Sequence, residues 1–301
     1  MNISVRSSNT IATALFGVVI LGAPATAAPL TYAQAVAADN PIAYWRLGET
    51  SGATTAVDET GLHNGTYSAT GIALEQPGLG GGDTGALFDG LGTGRIVVPH
   101  SDTLHVTRIT MESVFRWDGP TGEPQQRIIE KSTEPGSTRP VFSLQVLSTG
   151  HVQVELGFLG IEGEVIELVS NGTVPVGLTT CVTSTFDGTE VAIYLNGALD
   201  GSLPFVGDIR TDTAQPAGIG NQALRDRPFN GVIDEVALFA EALDADRIEA
   251  HCAAVPEPST WLMMTLGAAL LAMGPVRRGA ISSIALSAPL STVRSAENER
   301  P

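Results

Sequence analysis

Glu162, Glu164 and Glu167 stand in the run Glu162-Gly163-Glu164-Val165-Ile166-Glu167. Two carboxylates at this spacing can flank a glycosidic bond, one as nucleophile and one as acid. The run also reads as the solvent face of a strand in an acidic protein, and no tryptophan lies near it to stack a sugar. A second constellation is Asp234 beside Glu235 on the apolar stretch Val232–Phe239. Strand alternation puts Asp234 with Val232, Val236 and Leu238, and Glu235 with Ile233, Ala237 and Phe239. One carboxylate therefore points into an apolar layer, where a cation, several donors or an arginine such as Arg46 must meet it. His63, His100, His105, His151 and His251 are scattered, with no G-x-S-x-G and no H-x-x-x-H among them, so they read as surface or internally satisfied residues. Cys181 and Cys252 can pair in an oxidising compartment or stay as two separate thiols.

The elements that must position these residues are short strands. Val152, Val154 and Leu156 alternate with polar neighbours, as do Val191, Ile193 and Leu195, and this period of two predicts strands with one face in a core. Asn196-Gly197 predicts a tight hairpin with Ala198–Leu203 as its return strand. Arg95–Val98, Ile109–Arg116, Arg127–Lys131, Val141–Leu147 and Glu164–Leu168 add further strands. Glycine-rich turns separate them, Asn171-Gly172 and Asp187-Gly188 included. Only Leu243–Ala253 reads as a helix, capped by Asp244 or Asp246. Regular short strands with such turns predict an all-β sandwich or barrel. The charge balance is 32 Asp+Glu against 16 Lys+Arg, net −16. Such a surface repels nucleic acid and anionic lipid. Lys131 is the only lysine, which all but removes Schiff-base and P-loop chemistry.

Both ends carry addresses. Arg6 is the only charged side chain before Asp39, Ile11–Leu21 is apolar, and Ala25-Thr26-Ala27 is an A-x-A site. This predicts an export signal over 1–27, cut after Ala27 by signal peptidase. At the other end Pro256-Glu257-Pro258 holds the chain extended. The apolar run Trp261–Met273 follows, too short to span a bilayer comfortably, and then Arg277-Arg278. This order, over 255–279, resembles the PEP-CTERM sorting signal of bacterial proteins handled by an exosortase. The resemblance implies a transient inner-membrane anchor and delivery to the cell surface or extracellular matrix. Residues 280–301 form an atypical tail beyond it, with a second apolar patch at Ala280–Leu290.

The body, 28–254, resembles a LamG-like jelly-roll domain. The resemblance rests on pieces in order. The opening is Ala43-Tyr44-Trp45-Arg46-Leu47-Gly48-Glu49 with Asp58-Glu59-Thr60-Gly61. Ala86-Leu87-Phe88-Asp89-Gly90 then runs into Ile96-Val97-Val98-Pro99. The hairpin is Thr185-Phe186-Asp187-Gly188-Thr189 with Val191–Gly197, and the closing strand is Phe229-Asn230-Gly231-Val232-Ile233-Asp234-Glu235-Val236. Leu178-Thr179-Thr180-Cys181-Val182 departs from the Trp-His-His-Val that often stands there. The implied fold is a concanavalin-like sandwich of two antiparallel sheets, with one short C-terminal helix and a separate apolar C-terminal segment. In related folds a calcium ion often joins the first and last strands. The resemblance thus suggests calcium held by Asp58 and Asp234, with Asn64 and carbonyls of the Gly61–Gly65 loop completing an oxygen shell. It also implies a non-enzymatic module that binds extracellular polysaccharide or a surface protein. Laminarinase-type glycosidases share the fold and use E-x-D-x-x-E, so a hydrolase acting through the 162–167 carboxylates is one alternative. A purely structural matrix protein is the other.

Overall fold

A computed structural model describes residues 29–79, 83–134, 139–160 and 165–255. The chain begins with α1 (Tyr32–Ala38), β1 (Ala43–Trp45), β2 (Thr55–Ala56), β3 (Gly65–Tyr67), β4 (Ile72–Pro77), β5 (Thr84–Asp89) and β6 (Ile96–Val98). A single 3-10 turn (Asp102–Leu104) leads to β7 (Ile109–Trp117), β8 (Gln125–Ser132), β9 (Pro140–Leu147), β10 (His151–Gly157) and β11 (Val165–Thr173). Then come β12 (Thr179–Phe186), β13 (Glu190–Leu195), β14 (Ala198–Pro204), β15 (Ala217–Ile219), β16 (Asn230–Phe239) and α2 (Ala245–Ala253).

Two antiparallel sheets face each other. The first runs β14-β13-β12-β7-β16-β5-β4, with β1 also on β16, and the second runs β11-β10-β9-β8-β15-β6-β3-β2. Period-two alternation builds the layer between them: Ile109, Met111 and Phe115 from β7 meet Phe142, Leu144 and Val146 from β9 and Val152, Val154 and Leu156 from β10. Phe115 and Phe229 meet edge to face with centroids 5.5 Å apart, a geometry aromatic pairs favour. Asn196 (φ 51°) and Gly197 (φ 84°) turn β13 into β14. Two successive positive φ values are what a two-residue primed turn requires, which is why Asn-Gly signals it.

Three expectations need correction. First, a second helix exists. Thr31 accepts a hydrogen bond from the Gln34 amide while the Gln34 side chain accepts one from the Thr31 amide. This capping box starts α1, in a stretch for which no element was expected. Second, Asn171-Gly172 is not a turn. It lies inside β11, where the Asp200 carboxylate of β14 accepts from the amides of both residues. Third, β16 slips register between Ile233 and Glu235, so Asp234 is an extra residue against β7. Beyond this bulge the alternation resumes one step out of phase. Ile233 thus joins Val236 and Leu238 in the main core, and Ala237 and Phe239 face the other way.

The outer face of the first sheet is also covered. Tyr32 and Val36 of α1 and Ile248 and Cys252 of α2 pack on Val114, Cys181, Ala237 and Phe239. Asp244 caps α2 by accepting from the Arg247 amide at 2.9 Å. A disulfide joins Cys181 of β12 to Cys252 of α2, with Cα atoms 5.6 Å apart. The cysteine that stands where the LamG pattern has a Trp-His-His run therefore ties the helix to the sheet.

Candidate functional site

The residues expected to hold calcium do not form one oxygen cage. Asp58 is buried, and its Oδ1 accepts from the amides of Tyr44 (2.7 Å) and Thr60 (3.1 Å). Its Oδ2 accepts from the Thr60 hydroxyl (2.5 Å) and the amides of Leu62 (3.0 Å) and His63 (2.8 Å). Five donors take up the lone pairs a cation needs, so this carboxylate organises a loop. Asn64 is exposed, and its side-chain oxygen accepts from the Asp58 amide at 2.8 Å. Asp234 gathers instead with Asp83 and Glu235, because the bulge in β16 turns both acidic side chains to one side. Charge and donors meet them there. Arg46 pairs with Asp83 and lies 3.6 Å from Glu235. The Tyr44 hydroxyl donates to Glu235 at 2.5 Å, and the Leu79 amide to Asp234 at 2.5 Å. Burial, and next the charge of Asp234, raise the Glu235 carboxyl well above its ordinary range, against the opposing pull of Tyr44 and Arg46.

An extended array of polar side chains lies elsewhere, on the outer face of the second sheet. Register decides this face. Glu155 pairs with Ser143 on one side and Glu167 on the other, Arg127 pairs with Gln145, and Glu130 with Ser143. A bulge between Arg127 and Ile129 keeps Arg127 and Glu130 on the same side although they are three residues apart. Arg127 is the hub, only 1% exposed. Its Nη1 donates to Ser143 Oγ (2.6 Å), Glu155 Oε2 (2.6 Å) and Gln145 Oε1, and its Nε lies 2.7 Å from Glu130 Oε2. Gln222 Nε2 (2.7 Å) and Ser132 Oγ (2.9 Å) complete the Glu130 carboxylate. Amides extend the lattice towards β11. Gln125 donates to Gln153 (3.2 Å) and Glu155 (3.3 Å), Gln145 to Gln153 (2.5 Å), and Gln153 to Glu167 (3.0 Å). Gln125 is half-buried and Glu167 exposed, so the lattice opens to solvent at the β10–β11 side.

Chemically this is a preset row of amide and carboxylate groups in a plane. One guanidinium offsets one of three carboxylates, Glu130, Glu155 and Glu167, so the face stays acidic. It suits a neutral, hydroxyl-rich partner better than a phosphate. Of the sequence-predicted catalytic carboxylates, Glu167 lies on this face. Glu162 and Glu164 fall outside the described residues, as do Ala27, Pro256, Glu257, Pro258, Arg277 and Arg278. Sequence reading passed over Arg127, Gln145, Gln153 and Glu155. Alternation along β9 and β10 marked their parity as outward, but nothing local says that outward residues on four strands will bond to one another.

A second shared polar centre lies under the helices. His251, fully buried, sits between Glu112 Oε1 (Nδ1, 3.0 Å) and Asp39 Oδ2 (Nε2, 2.9 Å). Tyr32 and Thr183 donate to the same Glu112, and Arg247 to Asp39. Burial alone lowers the imidazole's pKa, but the hydrogen bond and charge of Glu112, together with Asp39, raise it above the ordinary value.

The Laminin_G_3 family model, described as the concanavalin A-like lectin/glucanases superfamily, matches residues 90–249, more than half of the chain. The protein belongs to this family. The match spans β6 to α2, and the structure adds β1 to β5, which extend both sheets of the Laminin_G_3 sandwich. Three solved structures share the fold. One is domain 4 of AbnA, a GH43 extracellular arabinanase from Geobacillus stearothermophilus, in complex with arabinotriose. Its TM-score is 0.54 at 17% identity, covering 70% of this chain and 98% of that one. The binding domain of Paraclostridial mosquitocidal protein 1 has a TM-score of 0.54 at 13% identity, over 70% of this chain and 51% of its own. Trypanosoma rangeli sialidase has a TM-score of 0.51 at 14% identity, over 70% of this chain and 32% of the sialidase. This chain thus spans about half of the toxin domain and a third of the sialidase. No curated protein matches the sequence. Among the described residues no helix is long and apolar enough to cross a membrane.

Proposed function

We propose that this Laminin_G_3 protein is an exported binding module whose ligand is an extracellular glycan, engaged at the β10–β11 side of the second sheet's outer face. The observation that carries this reading is the amide and carboxylate row Gln125–Gln153–Glu155–Glu167. Gln125 and Glu167 reach solvent, with Gln153 and Glu155 buried behind them; all four are fixed by their neighbours, so a ligand's hydroxyl groups meet the outer pair at little further entropic cost. The acidic surface agrees with a neutral polysaccharide. The sorting reading completes the proposal: signal peptidase cuts after Ala27, and an exosortase reads Pro256-Glu257-Pro258 and releases the domain at the cell surface or matrix.

Calorimetric titration with arabinan and β-glucan oligosaccharides tests the site. Gln125→Ala and Glu167→Gln are expected to weaken binding about ten-fold each, the loss of one or two ligand hydrogen bonds. Affinity unchanged in both would move the ligand elsewhere. A second reading, glycoside hydrolysis, has one feature in its favour: Glu155 and Glu167 face each other across β10 and β11. Cross-strand carboxylates approach the roughly 5 Å separation of retaining glycosidases. Release of reducing ends by the wild type, lost in both Glu155→Gln and Glu167→Gln, would establish it in place of simple binding.

A further inference from the structure

The five histidines divide into two kinds. His63 Nε2 meets the Thr103 hydroxyl at 3.0 Å, His151 Nδ1 meets the carbonyls of Ser170 (2.9 Å) and Gly172 (3.1 Å), and His251 is clamped by two carboxylates. His100 and His105 instead face each other, ring centroids 4.9 Å apart, with Asp102 beside both. They flank the 3-10 turn that follows β6, at one end of the sandwich. Val98 of β6 pairs there with Ala217 of β15, which pairs in turn with Lys131 of β8.

Proton accounting fixes one ring. His105 Nε2 lies 2.7 Å from the Thr213 carbonyl. A carbonyl only accepts, so Nε2 carries a hydrogen and Nδ1 of the neutral ring is a lone pair. That Nδ1 is 3.8 Å from Asp102 Oδ1, too far for a hydrogen bond. A lone pair and a carboxylate oxygen therefore point into the same space. His100 Nε2 reaches the same oxygen at 3.3 Å, and one ligand atom from each of the three residues lies within 4.8 Å of the others. A ring N–H held by a backbone carbonyl, with the other nitrogen turned outward, is how proteins orient a metal-binding imidazole.

We propose that His100, Asp102 and His105 form a site for a divalent transition metal of the zinc class. Tetrahedral bonds of about 2.0–2.1 Å place ligand atoms about 3.3 Å apart. His100 and Asp102 already have that spacing, and the Asp102 side chain, 93% exposed, is free to swing towards His105. Two imidazole nitrogens select against calcium and magnesium. Three protein ligands on an open surface leave a fourth position for water or for a donor atom of a partner. The Lys131 ammonium donates to His100 Nδ1 at 3.3 Å, which leaves the hydrogen of the neutral His100 ring on Nε2, so a metal at that nitrogen binds with release of one proton, and the Asp102 charge offsets the nearby ammonium. The site lies apart from the glycan face and does not depend on it.

The test is calorimetric titration of untagged, metal-stripped protein with zinc ions. Saturation at one ion per chain is expected. His100→Ala and His105→Ala should each weaken binding at least about ten-fold, and Asp102→Asn several-fold, while His151→Ala should leave it intact. Because the Asp102 side chain is exposed, its replacement cannot act through misfolding. Cobalt(II) in place of zinc should give a visible absorption band that His105→Ala removes. Absence of saturable binding, or equal zinc affinity in wild type, His100→Ala and His105→Ala, would overturn the proposal.

Discussion

The two sheets treat their outer faces differently. On the first, α1 and α2 close over Val114, Ala237 and Phe239, a disulfide fastens the cover, and the polar residues beneath are sealed. On the second, the polar residues outnumber the apolar ones, bond sideways to one another, and surface at Glu167. Both faces contain a charged hub, His251 in one and Arg127 in the other. The first hub is reached by side chains from α1, α2 and β7. The second draws only on side chains, most of them from its own sheet. A sealed hub contributes to stability alone, whereas a lattice with an open end can exchange its neighbours for a ligand.

Breaking the cover should have the largest effect. The disulfide joins residues 71 apart, and loop-closure entropy for such a length corresponds to about 4 kcal/mol. Urea denaturation of Cys181→Ala/Cys252→Ala should show a loss of that size. Arg127→Ala should cost about 3 kcal/mol, because it leaves Glu130 and Glu155 buried without their cation. A loss below about 1 kcal/mol in the same urea measurement would mean that the lattice is not held by its hub.

His251 gives the comparison a pH signature. Its folded pKa is raised, whereas the unfolded imidazole titrates near 6.5. The clamp between Glu112 and Asp39 is therefore fully present below about 6.5 and is lost as pH rises through the folded value. Stability measured from pH 6 to pH 9 should decline in the wild type, and His251→Asn should remove that decline. The smallest effect belongs to the open end. Glu167→Gln, exposed, should change stability by less than about 0.5 kcal/mol while weakening the glycan, which would separate recognition from folding on that face.

The strands of this fold were legible because burial on one face imposes a period of two, and the β13–β14 hairpin because few residue pairs other than Asn-Gly accept two positive φ values. The faces of β16 were not. One extra residue at Asp234 reverses every later assignment, and a bulge is set by pairing with a distant strand. The helix α1 carried a readable signal in Thr31 and Gln34, hidden by the alanines around it. The Arg127 lattice and the His100–Asp102–His105 cluster depend on side chains meeting across β8, β9 and β10, or across a loop and the Thr213 backbone. No spacing in the sequence encodes such meetings.

Lys131, the chain's sole lysine, is wholly buried at the end of β8 with its ammonium on the Gln215 carbonyl and beside His100. The folded protein therefore presents no side-chain amine to reagents in solution. Succinimidyl esters and aldehydes would couple only at the amino terminus, so every molecule fixed to a sensor surface by amine chemistry would stand in the same orientation.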